Sequence, residues 1–414
     1  MPIKYVSTLA AATVLASALA LPAQAEDLDQ PIFSFAGYGT LGLVHSTEDQ
    51  ADFVDNYLQP KGAGYSQSWS AGVDSRLGLQ VTANFNAQWS AVLQVISQEN
   101  YQDSYQPSVE WANVKYQVTP DFSVRVGRIA LPTFLTADYR NVGYAIPWVR
   151  TPGELYNLIP ITNSDGLDLR YRMHFGEVMD TVQAEIGTGH IRVPDNGSVD
   201  FTAMHALTNT LEYGSLTLRA TYLRANLDLD IADSLFTAFS QFGPQGVAIS
   251  NQYSGENSPI TYAGIGASYD PGNWFVMAEL GNTNTHSFLG EKTAGYVTAG
   301  WRSGKWTPYA TYARVNANSN RSDPGLPSAG LPPQYAYEVM ALDAGLNQLL
   351  GEIAVQKSIS LGLRWDFMKN ASLKTQLDFI RPGQGSPGDF QNIQPGFTGG
   401  GHATVGSIAL DFVF

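Results

Sequence analysis

The sequence predicts an all-β protein: a transmembrane antiparallel β-barrel of about sixteen strands, its third long loop folded into the lumen. Three observations carry this reading. The chain ends in a strand, Ala403 to Phe414, whose Ile408, Leu410, Phe412 and Phe414 alternate with Ser407, Ala409 and Asp411. A strict period of two means one greasy and one polar or crowded face. Such a strand is an aggregation hazard as a free edge but not if it pairs with the first strand and closes a barrel. Segments of this kind recur along the chain, joined alternately by tight turns and long loops, which is the pattern of an outer-membrane barrel. Finally, 40 Gly, 21 Tyr and 8 Trp accompany only 14% charged residues, a balance that favours a barrel over a soluble exported protein.

The first 25 of the 414 residues read as a signal peptide. Lys4 supplies the positive start, Leu9 to Leu21 the apolar stretch, and Ala23-Gln24-Ala25 the small-x-small cleavage site. The barrel domain is then 26–414, and the formal net charge of −14 becomes −15 once Lys4 is gone. Cysteine is absent, which excludes disulfides and thiolate metal sites. No apolar run is long enough for a membrane helix. The acidic balance argues against nucleic acid as a partner and suits solvated loops.

In chain order, the first strand is expected at Ile32–Val44. It contains Gly37-Tyr38-Gly39-Thr40-Leu41-Gly42, a formal dinucleotide fingerprint, but no helix follows, so strand packing is the better explanation of the glycines. The next strands are expected near 70–83, 87–97, 109–118, 122–128 and 167–175. They continue near 181–187, 201–212 and 216–223, then on both sides of Asp270–Asn273 and of Ser303–Lys305. The last three are near 359–366, 373–379 and 403–414. An even count puts both ends on the short-turn, periplasmic side. Long loops are expected at 46–68, 130–165, 188–200, 226–258, 317–356 and 382–402, shorter ones near 99–107 and 285–293. Helical spacing of apolar residues at 235–242 and 339–353 predicts helices packed within two of these loops.

The 130–165 loop holds the candidate site. It is long for a hairpin connection and rich in bulky apolar residues, among them Leu131, Phe134, Tyr144, Trp148 and Tyr156, which a loop splayed into water would expose. Folded against the inner wall it can bury them and narrow the lumen that a barrel of this size leaves. Its charged side chains are Asp138, Arg140, Arg150 and Glu154. Alternation places Arg76, Lys115, Arg125, Arg170, Arg172, Arg219 and Arg364 on the inner wall. The candidate constriction is therefore Arg76, Lys115, Arg125, Arg170 and Arg172 from the wall, and Asp138, Arg140 and Glu154 from the loop. Opposed charges across a waist create a transverse field that orients polar solutes.

Other function classes find little in the residues. None of the six histidines has zinc-protease spacing, there is no G-x-S-x-G elbow, and no nucleophile stands beside a base. No enzyme activity, cofactor or metal is expected.

Three short stretches carry a family resemblance. Val126-Gly127-Arg128 with Pro132, then Asn163-Ser164, then the terminal Phe414 with Phe412 two residues before it, resemble Gram-negative outer-membrane porins of the sixteen-stranded kind. The family's acidic P-E-F-G-G loop tip is absent from this sequence. The resemblance implies a water-filled channel in the bacterial outer membrane for passive diffusion of small hydrophilic solutes. It implies that the third loop forms the constriction, and that the terminal aromatics, Phe412 and Phe414, are read by the barrel-assembly machinery. Outer-membrane lipid and lipopolysaccharide would surround the barrel. A homotrimer follows from the resemblance alone; the residues leave monomer and trimer open. They also leave open a substrate-specific channel with a binding site at the constriction, and a plugged, structural barrel.

Overall fold

The computed structural model describes residues 32–194 and 197–414, so the expected signal peptide, residues 1–25, and the start of the barrel domain at Glu26 lie outside the described residues. Sixteen strands of nine to sixteen residues form one closed antiparallel sheet. They are β1 Phe33–Ser46, β2 Arg76–Asn84, β3 Trp89–Gln98, β4 Ser108–Gln117, β5 Phe122–Ala130 and β6 Asn163–Phe175. Then come β7 Val178–Arg192, β8 Ser198–Tyr213, β9 Leu216–Leu229, β10 Ser258–Tyr269 and β11 Trp274–Thr285. The circle is completed by β12 Lys292–Trp301, β13 Trp306–Ala317, β14 Gln356–Met368, β15 Ala371–Pro382 and β16 Ala403–Val413. Each strand pairs with its sequence neighbours, and β1 pairs with both β2 and β16.

Outward positions are apolar, as lipid demands: Leu41, Leu93, Val126, Leu169, Ile265, Leu280, Leu361 and Ile408 are exposed. Near the short turns they give way to aromatic residues. Trp306 stacks on Trp365 with ring centroids 5.1 Å apart, and Tyr269 lies beside Trp274 at 5.4 Å. That is the girdle expected at a membrane interface.

The closing seam explains the glycines of β1. Gly39 pairs directly with Phe412, and Gly37 exchanges two backbone hydrogen bonds with Phe414, of 2.9 and 3.0 Å. Both glycines face outward yet are buried, because the terminal rings lie over them. A Cβ at Gly37 would run into the Phe414 ring, and one at Gly39 into the Phe412 ring. The fingerprint-like spacing is thus a pair of seats for aromatic rings, while Gly42 faces inward, where Asp74 packs.

Several boundaries depart from expectation; β9, for one, runs to Leu229 rather than 223, and β6 starts at Asn163 rather than 167. The second strand begins at Arg76 rather than near 70, because residues 71–75 turn inward to present Asp74 to the lumen; Trp69–Ser70 remains as a two-residue strand on β1. The loop expected at 188–200 is partly strand, since β7 and β8 continue as a ladder through Arg192 and Ser198. Four loop helices are α1 Gly153–Tyr156, α2 Asp233–Ser240, α3 Gly243–Tyr253 and α4 Pro333–Gly351; α2 and α4 are the two expected, whereas α1 and α3 are not. Phe236 and Phe239 of α2 and Val339, Leu346 and Leu350 of α4 are buried in one apolar cluster with the inward-facing Phe201, Leu227 and Ile260. Under the long loops the inner face is apolar, because those loops fold over it and exclude water.

The seam makes a prediction. Gly39→Leu should displace the Phe412 ring, and deletion of Phe414 should remove a ring and two hydrogen bonds. Each is expected to lower the folded yield in lipid vesicles severalfold, read as heat-modifiable gel mobility, with export to the periplasm unchanged.

Candidate functional site

The segment 131–162 between β5 and β6 is held by bonds to inward positions of many strands. At its start, the Pro132 carbonyl accepts from Thr208 on β8 and Thr221 on β9, at 3.0 and 3.2 Å. The Leu135 N–H donates to the Glu279 carboxylate of β11 at 2.8 Å, and Tyr156 and Tyr296 donate to its other oxygen at 3.0 and 2.8 Å. Trp148 points its indole N–H at Thr298 on β12 and Thr311 on β13, at 2.9 and 3.1 Å. The apolar side chains that made the segment conspicuous are buried by this docking: Leu131, Phe134, Trp148, Leu155 and Ile159 are each at most 1% exposed.

Two buried cations fasten its middle. Lys374, on β15 and wholly buried, donates to the carbonyls of Gly143, Ile146 and Trp148 at 2.6, 2.9 and 2.7 Å, with Asp411 as its counter-charge at 3.0 Å. Its ammonium thus replaces the water that three loop carbonyls would need. Arg364 on β14 adds bonds to the carbonyls of Tyr144 and Ile146. Arg150 points outward from the loop to the wall. It forks onto Asp74 at 2.9 and 2.7 Å and reaches Asp378 at 3.0 Å and Ser407 at 2.6 Å. Burial works against its charge, but the two carboxylates more than offset this and hold it protonated. At Gly143 the loop approaches so closely that a Cβ would strike Asp411 and Thr40.

The segment's bonds thus reach strands from β8 around to β16, and β2 to β6 hold all five wall residues expected at the constriction. Lys115 and Arg125 are direct partners across β4 and β5. Arg125 donates to Asp168 on β6 at 2.7 Å. On the same face of β6, Arg170 donates to Gln183 at 3.1 Å and Arg172 is exposed. Asp138 from the loop is exposed and its charge acts on Arg125 and Arg170. These five come together.

The others do not join them. Arg76 pairs with Asp55 of the first loop at 2.9 Å. Arg140 lies 5.7 Å from the Tyr156 ring centroid, and with Arg76 and Glu110 it lines a polar cavity of about 270 Å³. Glu154 is buried elsewhere, accepting from Gln356 at 3.0 Å beside Asp389 of the last loop. Burial, with the Asp389 carboxylate alongside, pushes Glu154 up to about 7. The anchors Lys374, Arg150 with Asp74 and Asp378, and Glu279 were missed as a set. Alternation does put Lys374 and Asp378 on the inner wall, but nothing local says that a loop will dock there.

A family model described as Gram-negative porin matches residues 11–382. A comparison with curated proteins finds no match. Among solved structures, the chain is similar to an anion-selective porin from Comamonas acidovorans, at 13% identity and a TM-score of 0.54 over 92% of this chain and 99% of that one. It is similar to Salmonella typhi OmpF in complex with daunomycin, at 13% and 0.53 over 92% and 97%. It is also similar to the trimer form of OmpT of Vibrio cholerae, at 12% and 0.50 over 93% and 100%.

Two outcomes are expected from this geometry. Arg150→Ala leaves Asp74 and Asp378 buried without their cation, a loss of about 3–5 kcal/mol. Limited proteolysis of the folded barrel should then cut within 131–162, where the wild type resists. Glu154 is protonated in the folded chain at pH values where an ordinary glutamate, at 4.5, is not. Its stabilising contribution is therefore full below pH 4.5 and is lost as pH rises through about 7. The thermal midpoint should fall over that range, and Glu154→Gln should flatten the fall.

Proposed function

The chain belongs to the Gram-negative porin family, and we propose that the segment 131–162 lies inside the barrel as the constriction of its channel. The family and the closed barrel make it an outer-membrane channel for passive diffusion. The finer reading concerns where solutes pass. The observation that carries it is the uneven docking of the segment: its bonds to the wall run from Thr208 on β8 to Ser407 on β16, among the described residues only Asn141 reaches across to Glu110 on β4 at 3.2 Å, and the cations of β4 to β6 are left unbonded by the segment. Solutes then pass between Asp138 on the loop and Lys115, Arg125, Arg170 and Arg172 on the wall.

This sector carries acids as well, but Asp168 and Glu185 are buried, at 0% and 2% exposed. The charges that meet water are mainly the cations, so the waist favours small hydrophilic anions modestly. Screening over about 8–10 Å confines the effect to the narrow part. The Comamonas neighbour is itself described as anion-selective. Delivery to the membrane through a cleaved signal peptide at 1–25, and assembly as a homotrimer like that of the Vibrio neighbour, complete the proposal.

Planar-bilayer recording tests it. The wild type should give steady currents with a reversal potential on the anion side in a salt gradient. Arg170→Glu together with Arg172→Glu should move that potential toward cations while leaving a folded, conducting barrel. An unchanged potential would remove the proposed path, and absence of current from folded protein would remove the channel.

A further inference from the structure

The outer half of the lumen contains a cavity of about 400 Å³, enclosed by the wall, the end of the 131–162 segment and the loops after β13 and β15. A passage for hydrophilic solutes has no need of apolar walls, yet Phe201, Leu227, Leu229 and Ile260 face inward here, and Ile159 and Ile353 of the loops complete the lining. These side chains belong to the apolar cluster under α2 and α4, but packing does not fill the space between them. Its volume is that of a site for an organic ligand.

One cation lining this cavity has no ion pair or hydrogen bond from its ammonium among the described residues. Lys292 opens β12, and among the described residues no carboxylate lies within ion-pair distance of its ammonium and no side chain or carbonyl accepts from it. The acid that acts on it, Asp389, is already bonded by Tyr57 at 2.6 Å and Gln356 at 3.3 Å. Glu352, also on the lining, has Arg321 nearby to balance it. An ammonium on a largely apolar lining, with no acceptor among the described residues and only the more distant Asp389 charge acting on it, can take an anionic group directly.

We propose that this cavity is a solute-binding site for amphipathic carboxylates, the apolar body lying against Phe201, Leu229, Ile260 and Ile353 and the carboxylate on the Lys292 ammonium. The best fit is a single aromatic or medium-chain acid of about ten to twenty non-hydrogen atoms. The site deepens the channel reading and rests on it for access from outside. It stands above the waist, so such acids are concentrated before they meet the cations of β4 to β6.

The test is equilibrium titration of the folded protein in lipid nanodiscs with 2-naphthoate, against empty nanodiscs as the control. Saturable binding of one molecule per chain is expected. Lys292→Met, which removes the charge but keeps the length, should weaken it about tenfold or more, and Ile353→Trp, which fills the cavity from a loop, should abolish it. No saturable binding above the empty discs, or equal affinity of wild type and Lys292→Met, would overturn the proposal. Bilayer currents recorded on the same preparations separate the two ideas: conduction without binding removes this site and keeps the channel, whereas binding without conduction removes the channel.

Discussion

Hydrocarbon accepts no hydrogen bonds, and that constraint shapes the whole molecule. Each backbone N–H and C=O at membrane depth must find a partner within the protein, which a sheet achieves only by closing on itself. Closure here depends on the meeting of the two ends of the barrel. β1 and β16 pair from Tyr38 with Val413 to Ser46 with Val405. Two large rings at the end of the chain need room beside the backbone of β1, and Gly37 and Gly39 provide it. Thus the features that look most like a signature elsewhere, closely spaced glycines, serve the joint on which the barrel depends.

Once closed, the barrel reverses the usual arrangement of a globular protein, with its apolar face outside and polar side chains within. That inner face is what allows a loop to be held by charge. Lys374 and Arg364 donate to loop carbonyls, and Arg150 reaches back to wall carboxylates. Buried ion pairs of this kind contribute little net stability over apolar packing, but they tolerate no loss of a partner. They fix one position of the segment relative to the strands that bond it.

The outer half of the lumen follows a different rule. There the loops are long enough to form helices of their own, and with the inward side chains of β8 to β10 they make an apolar core. The interior is accordingly layered: an apolar cluster toward the loops, the cations of β4 to β6 below it, and a polar cavity of about 360 Å³ with Arg302, Arg364, Asp270 and Asp366 toward the short turns.

The sequence by itself determined the number of strands, the side of each that faces lipid, the alternation of turns and loops, and the loop that was too apolar to stand in water. These are legible because the period of two and the turn residues act over a few positions. It also put Lys115, Arg125, Arg170 and Arg172 on the inner wall. Only the tertiary structure decided that these four share a sector facing Asp138, while Glu154 turns away to Gln356 and Asp389, and Arg140 to the Tyr156 ring. The bonds responsible join residues far apart in the chain, 76 positions for Arg150 with Asp74 and 257 for Arg150 with Ser407. Local pattern cannot specify such pairs, because they exist only after the circle has closed and brought the two ends of the barrel against the loop.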